Sequence, residues 1–220
     1  MQSFQDAFAE HVATGTARQL ALGDLLGDRS WQMDVEAGTV TFGGDLTYRI
    51  QLLGTQSDSD RTWLWAWANS MSNLPPGLLR VAGWLREYGR HIGMAELTEP
   101  TFPIDRADGH QLALLASGLT GHCYYRGPYP GGALFFQLEG VPEQVLGPVP
   151  PERAQRVLAE VIQSYPVNHR VVAQSFLAQQ GWHMSLAQGN VAGQHHSGSW
   201  LRVEFDDADR VIRIDGELRR

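Results

Sequence analysis

Lysine is absent from this 220-residue sequence, and cysteine occurs once, at Cys123. All 17 basic side chains are therefore arginines. This excludes a Schiff-base lysine, a lysine general base and the lysine of a Walker-type phosphate loop. A single cysteine forms neither an internal disulfide nor a thiolate zinc cage, and it is typical of a reducing compartment.

The sequence also lacks the features that nucleic acids and membranes require. Its net charge is −7 and its arginines form no run, so we expect no nucleic-acid partner, because phosphate neutralisation supplies most of that affinity. No apolar run approaches the roughly 20 residues that span a bilayer, and the first residues, Met1 to Asp6, lack a secretion signal. We therefore expect a cytoplasmic protein with no membrane partner. A small molecule or a protein is the expected kind of partner, and the oligomeric state is left open.

Common catalytic motifs are missing too. The sequence contains no nucleophile elbow G-x-S-x-G, no zinc motif H-E-x-x-H and no G-x-G-x-x-G loop. We expect no cofactor and no metal. Whether the protein is an enzyme stays open, and the absence of these motifs favours a non-enzymatic role.

Apolar periodicity predicts an α+β fold in which helices pack on antiparallel β-meanders. Residues 4–25 have helical spacing, and residues 31–68 read as a four-stranded meander in which 46–53 pairs with 62–68 across a loop at 54–61. Further along, the pattern predicts a helix capped by Asn73, a short strand near 95–97, a helix from His110 capped by Asp108, a hairpin over 122–138, a helix over 150–162 and a helix after Asn168.

The C-terminal part repeats the spacing of the first meander. Trp182, Met184, Gly189 and Val191 are spaced like Trp31, Met33, Gly38 and Val40. A diverged duplication explains this match, and so does coincidence, because hairpins reuse such spacings. With no linker in between, we predict a single α+β domain over 1–220. Its parts are a helix-plus-meander at 4–69, a central helix/hairpin region at 73–165 and a helix-plus-meander at 168–215.

The most distinctive segment carries three alternating tryptophans, Trp63, Trp65 and Trp67. In a strand they share one face. Three indoles present roughly 450–750 Å² of surface, whereas the largest exposed apolar patch of a typical monomer is about 300–600 Å². The indoles are therefore predicted either to form the core of a central strand or to line a ligand site.

This segment, preceded by Leu53-Gly54-Thr55, resembles the signature of an uncharacterised bacterial family, a domain of unknown function. A second segment, Tyr124 to Tyr129, is similar to another recurring part of that family. The resemblance covers roughly residues 4–140 and implies a bacterial origin. Because the family has no established activity, it implies no functional residues.

The second segment offers further candidates for recognition. Tyr125, Arg126 and Tyr129 lie near a predicted hairpin tip, where they form either a contact site or ordinary sheet pairs. The neighbouring Cys123 is expected to be buried and inert, since adjacent strand residues such as His122 point to the opposite face.

Two hypotheses for function follow. In the first, the protein is a non-enzymatic binding protein that recognises a small molecule or a protein through Trp63, Trp65, Trp67, Tyr125, Arg126 and Tyr129. In the second, it is a hydrolase with an unfamiliar acid–base site built from Asp105, Asp108 or His110. A weak metal site at His195 and His196, with His183 as a further ligand, competes with a plain solvated loop.

Overall fold

In the computed structural model, which describes residues 2–219, helices and antiparallel sheets alternate along the chain. The helices are α1 (Phe4–Leu26), α2 (Arg80–Ile92), α3 (Ala95–Thr98), α4 (Gly109–Thr120), α5 (Glu143–Leu146), α6 (Pro151–Ser164) and α7 (His169–Gln179). The strands are β1 (Trp31–Asp34), β2 (Thr39–Phe42), β3 (Leu46–Ser57), β4 (Thr62–Trp65), β5 (Thr101–Pro103), β6 (Cys123–Tyr129), β7 (Gly132–Glu139), β8 (His183–Ala187), β9 (Asn190–Gln194), β10 (Trp200–Phe205) and β11 (Val211–Glu217). Short 3₁₀ helices at Ala66–Ala68, Ser70–Ser72 and Pro76–Leu78 connect β4 to α2. The predicted α+β class is confirmed.

The long strand β3 organises the larger sheet. Its residues 46–49 pair with β2 and its residues 54–57 pair with β4 on the same edge, while β7 pairs along the opposite edge. Strands β1, β5 and β6 extend the sheet beyond β2, β4 and β7. Strands β1 to β4 each pair antiparallel with the next strand, as predicted, but β2 and β4 share one edge of β3, so the predicted meander is confirmed only in its pairing and not in its order.

Three of the predicted boundaries are wrong. Residues 54–57, expected in a loop, belong to β3, so β4 pairs with them and not with residues 46–53. Residues 95–98 form α3 and not a strand, because they favour a helical turn that buries Leu97. Asn73 does not cap α2: it has a left-handed backbone (φ 44°) at the end of a 3₁₀ helix, and Pro75 and Pro76 delay the start of α2 to Arg80.

Helices α1 and α4 pack closely on one another, next to the larger sheet. A Cβ atom on Gly15 would lie 2.7 Å from the Leu114 carbonyl oxygen, and one on Gly118 would lie 2.4 Å from the Cβ of His11. Small residues are therefore needed on both helices where they cross. The start of α4 is fixed by the predicted cap, since Asp108 accepts a hydrogen bond from the Gln111 backbone at 2.8 Å.

Helix α7 packs on one face of a second sheet, whose order is β11-β10-β9-β8. Apolar side chains that include Leu201 and Val203 are buried on one face of this sheet, whereas Trp200 and Arg202 on the other face are exposed. Helix α7 also packs against α1, where Gln179 Nε2 donates to the Glu10 carbonyl oxygen at 2.9 Å.

Both ends of the chain thus contain a helix followed by four strands that each pair antiparallel with the next strand in sequence. This pairing is compatible with the proposed duplication, but hairpin-connected strands adopt it by default. The duplication and the division of the chain into domains both stay predictions.

Candidate functional site

Two of the three tryptophans predicted as site residues are core residues. Trp63 and Trp65 are 0% and 1% exposed, and their rings meet edge to face with centroids 5.3 Å apart. Trp63 also packs against Phe135, with centroids 5.6 Å apart. Trp65 Nε1 donates to the Glu96 carbonyl oxygen at 2.9 Å. A ligand would reach these indoles only if the core opened.

The expectation that Trp67 shares their face is wrong. Strand β4 ends at Trp65, and Trp67 lies in the 3₁₀ helix Ala66–Ala68, where the period-two alternation no longer applies. There its half-buried ring lies under the guanidinium of Arg86, whose Cζ is 4.1 Å from the ring centroid.

The hairpin candidates do not converge either. Tyr125 points inward and packs edge to face against Phe42, with centroids 4.9 Å apart, and it also contacts Trp31. Arg126, the next residue on β6, points to the other face, and Tyr129 is exposed at the end of the strand. The six residues proposed from the sequence therefore form no common surface.

A concave site does occur where α2, the end of α4 and the end of β7 meet. We call it the Trp84 groove; it encloses about 440 Å³ and is lined by Arg80, Val81, Trp84, Leu119, Thr120 and Glu139. Trp84 is 48% exposed. Its ring stacks on Tyr88, one helical turn further along, with an interplanar angle of 14° and centroids 5.5 Å apart.

Buried amides from the sheet fix the walls of this groove. Gln51 accepts from the Val81 backbone at 3.3 Å and donates to the Gly77 carbonyl oxygen at 3.2 Å, which fixes the start of α2 on β3. Gln137, which pairs with Gln51 across the strands, accepts from the Thr120 hydroxyl at 3.0 Å. Its buried Nε2 has no hydrogen-bond partner among residues 2–219, so an unpaired donor lies next to Thr120.

The charged rim of the groove is balanced. Arg80 donates to Glu139 at 2.9 Å, and the side chain of Arg80 remains 66% exposed. The pair leaves guanidinium donors and carboxylate lone pairs free to face a ligand. The groove thus combines an apolar wall, an exposed ring and polar groups of both kinds, as ligand sites commonly do.

The acid–base candidates are separately engaged in structural contacts. Asp105 forms an ion pair with Arg61, and Asp108 caps α4. His110 Nδ1 lies 3.1 Å from the Tyr124 hydroxyl. Burial lowers the pKa of His110, the negative charge of Asp108 opposes this effect, and the positive charge of Arg126 adds to it. The hydrolase hypothesis stays a prediction that these contacts do not favour.

The lowered pKa of His110 predicts a loss of stability in mild acid. Below the ordinary histidine pKa of about 6.5, the unfolded chain takes up a proton that the folded protein binds less readily. The contribution of His110 to the free energy of unfolding is therefore fully present above that pH, and it decreases as the pH falls. We expect His110→Asn to lose less stability than the wild type between pH 7.5 and pH 5 in urea titrations. Equal losses would contradict this assignment.

The histidine pair forms no metal site with its neighbours. His195 and His196 have ring centroids 3.9 Å apart, and His195 Nδ1 lies 2.9 Å from the Ser197 hydroxyl. Across residues 2–219 no three His, Cys, Asp or Glu side chains come together in a way that could hold a metal ion. Among the same residues, every helix is too short or too polar to cross a membrane.

Sequence reasoning missed Trp84 as a site residue. The apolar stripe of α2 runs through Val81, Leu85 and Tyr88, and Trp84 lies at its edge, one turn after Arg80. The available signal was the pair Trp84 and Tyr88 at i and i+4. With this pair, the apolar face of α2 is wider than the stripe that the helix buries against the protein.

Comparisons with known proteins agree with the resemblance seen in the sequence. A family model described as a family of unknown function, DUF6882, matches residues 5–141. No curated protein and no solved structure matches the chain. All residues that line the Trp84 groove lie within the matched segment, whereas α6, α7 and the second sheet lie outside it.

Proposed function

The chain belongs to DUF6882, a family of unknown function, and we propose that it is a non-enzymatic binding protein that holds a small molecule in the Trp84 groove. The observation that carries this proposal is the exposed indole of Trp84, which is stacked on Tyr88 inside a concave site.

The groove has the size and rigidity that small-molecule binding requires. Its volume of about 440 Å³ falls in the usual range of roughly 300–1,000 Å³ for ligand sites. The stack on Tyr88 restricts the Trp84 ring before a ligand arrives. Binding then loses less side-chain entropy than it would with a freely rotating ring.

The lining also supports a class of ligand. A flat ring gains contact area by lying on the indole face, and Val81 and Leu119 provide apolar contacts around it. Polar atoms at one edge of that ring would meet Arg80 and Glu139. We therefore propose a planar, mostly apolar molecule with a hydrogen-bonding edge. A protein partner that inserts an aromatic side chain would use the same contacts.

Ligand-observed NMR with a library of small aromatic compounds tests the proposal. We expect hits for the wild type and binding that is at least about tenfold weaker for Trp84→Ala. The contacts that the ring makes by stacking and by area burial together exceed roughly 1.4 kcal/mol. Trp200→Ala is the matched control, since Trp200 is also exposed but lies on the second sheet, away from the groove.

Two results would contradict the proposal. The library could bind Trp84→Ala as tightly as the wild type, or Trp200→Ala could weaken binding by the same factor. Competition by a peptide that carries an aromatic residue would show that the groove also accepts a protein side chain.

A further inference from the structure

A second concave site lies between α1, α4, α6 and β6, and it shares no residue with the Trp84 groove. We call it the tyrosine cleft. It encloses about 190 Å³. Its polar lining comes from Thr16, Gln19, Tyr124, Glu160, Ser164 and Tyr165.

Glu160 gives the tyrosine cleft its charge. The residue is half-buried, and its carboxylate forms no ion pair with any of residues 2–219. No arginine or histidine side chain lines the cleft. The carboxylate of Asp108 lies close enough to act on both Tyr124 and Tyr165. The cleft is therefore a region of negative potential with an uncompensated carboxylate.

The two tyrosines contribute neutral oxygens and ring faces. Burial raises the pKa of Tyr124 and the pKa of Tyr165, and the negative charge of Asp108 raises both further, so their hydroxyls stay protonated at neutral pH. Tyr124 is also fixed in place: its hydroxyl lies 3.1 Å from His110 Nδ1, and its backbone N–H donates to Gln19 Oε1 at 3.1 Å.

We propose that the tyrosine cleft binds a small organic cation, a primary or methylated amine, through Glu160 and the rings and hydroxyls of Tyr124 and Tyr165. Carboxylates form strong charge-assisted contacts with ammonium groups, and aromatic faces attract the same charge. An anion would meet the carboxylate of Glu160 and no basic group among the lining residues. A neutral molecule would leave the charge of Glu160 unpaired.

The volume limits the size of the ligand. A space of about 190 Å³ corresponds to about six water molecules at roughly 30 Å³ each. An amine of about five to eight non-hydrogen atoms fits this space. Hydroxyls on that amine would find partners at Thr16 and Ser164, on opposite walls of the cleft.

Calorimetric titration with three probes tests the proposal on the full chain. The probes are choline, butylamine and dimethylbutanol, the uncharged carbon isostere of choline. We expect the amines to bind and the isostere to bind at least about tenfold more weakly, because it lacks the charge that Glu160 pairs with. Failure of both amines to bind, or equal binding of the isostere, would overturn the proposal.

Variants locate the site. Glu160→Gln should weaken binding of the amines by about tenfold or more, since the charge-assisted contact is lost. Glu152→Gln is the control: it removes the same charge from an exposed position at the start of α6, and we expect it to leave affinity unchanged. Equal effects of the two variants would reject Glu160 as the ligand-pairing group.

Trp84→Ala separates this inference from the proposed function. Amines that bind in the tyrosine cleft should bind this variant as tightly as the wild type. Loss of amine binding in Trp84→Ala would instead place the cation on the exposed indole and overturn the proposal. If no compound of the aromatic library binds the Trp84 groove, the proposed function fails, but amine binding in the tyrosine cleft should still be observed.

Discussion

Replacement of Trp65 by alanine is expected to lower the free energy of unfolding by about 3–5 kcal/mol. Trp65 is 1% exposed and contacts Trp63 edge to face, so alanine would leave a cavity that the paired strands around β4 cannot close. The substitution also removes the hydrogen bond from Trp65 Nε1 to the Glu96 carbonyl oxygen. The free energy of unfolding of ordinary domains is about 5–15 kcal/mol. This one substitution therefore removes a large share of the stability of such a domain.

Urea unfolding followed by circular dichroism measures the effect, and Trp84→Ala is the matched control. Both variants lose an indole, but Trp84 is half-exposed, so its removal should lower the free energy of unfolding clearly less than removal of Trp65. A loss below about 1 kcal/mol for Trp65→Ala would mean that the ring is not part of a packed core.

Phenylalanine substitutions separate packing from hydrogen bonding. Trp65→Phe removes a satisfied N–H donor and leaves the Glu96 carbonyl without that partner. Trp63→Phe removes an N–H that has no partner among residues 2–219. We expect Trp65→Phe to be the more destabilising of the two, because an unpaired buried group is itself unfavourable.

The meander around β3 was predictable because its information is local. Alternating apolar residues indicate strands, and the short turns between them make antiparallel partners out of neighbours. The core role of Trp63 and Trp65 follows from the same alternation. For the same reason the cap at Asp108 and the helix after Asn168 could be read from single residues at fixed spacing.

The end of β4 was not predictable, because a distant contact determines it. The pattern Trp-Ala-Trp-Ala continues beyond Trp65, and in the observed register Ala66 would pair with Leu53. However, the pairing of β3 with β7 shifts between Leu52 and Gly54. Such a bulge bends the strand and ends pairing. The chain therefore turns into a 3₁₀ helix, and Trp67 leaves the shared face.

The candidate sites were out of reach of the sequence for a related reason. The Trp84 groove joins residues of α2, α4 and β7, and the tyrosine cleft joins α1, β6 and α6. None of these segments carries a motif, because each contributes at most three side chains. Their convergence depends on how the helices pack on the sheet, which no local pattern specifies.

Cys123 is expected to react with a disulfide reagent at pH 8 at least about a thousandfold more slowly in the folded protein than in the unfolded chain. The thiolate is the reactive form, and burial raises the thiol pKa from 9.0 to about 12, which lowers the thiolate fraction at that pH by roughly three powers of ten. The side chain is also fully buried, and its Sγ donates to the Arg18 carbonyl oxygen at 3.8 Å.

Absorbance of the released thiol product measures this rate in buffer and in denaturing urea. Cys123→Ser gives the blank, because the sequence contains no other cysteine. Stoichiometric labelling of the folded protein at the unfolded rate would contradict the buried position of the thiol.

The labelling rate also connects the thiol to the tryptophan core. If the reagent reaches Cys123 only after the shared core opens, the rate follows the population of open molecules. Trp65→Ala should then accelerate labelling by about a hundredfold or more, since each 1.4 kcal/mol of lost stability is a factor of ten. Trp84→Ala should accelerate labelling much less, because a half-exposed ring contributes less to stability. An unchanged labelling rate in Trp65→Ala would mean that β6 and α1 separate locally while β4 stays folded. The core around Cys123 would then open independently of the tryptophan strand.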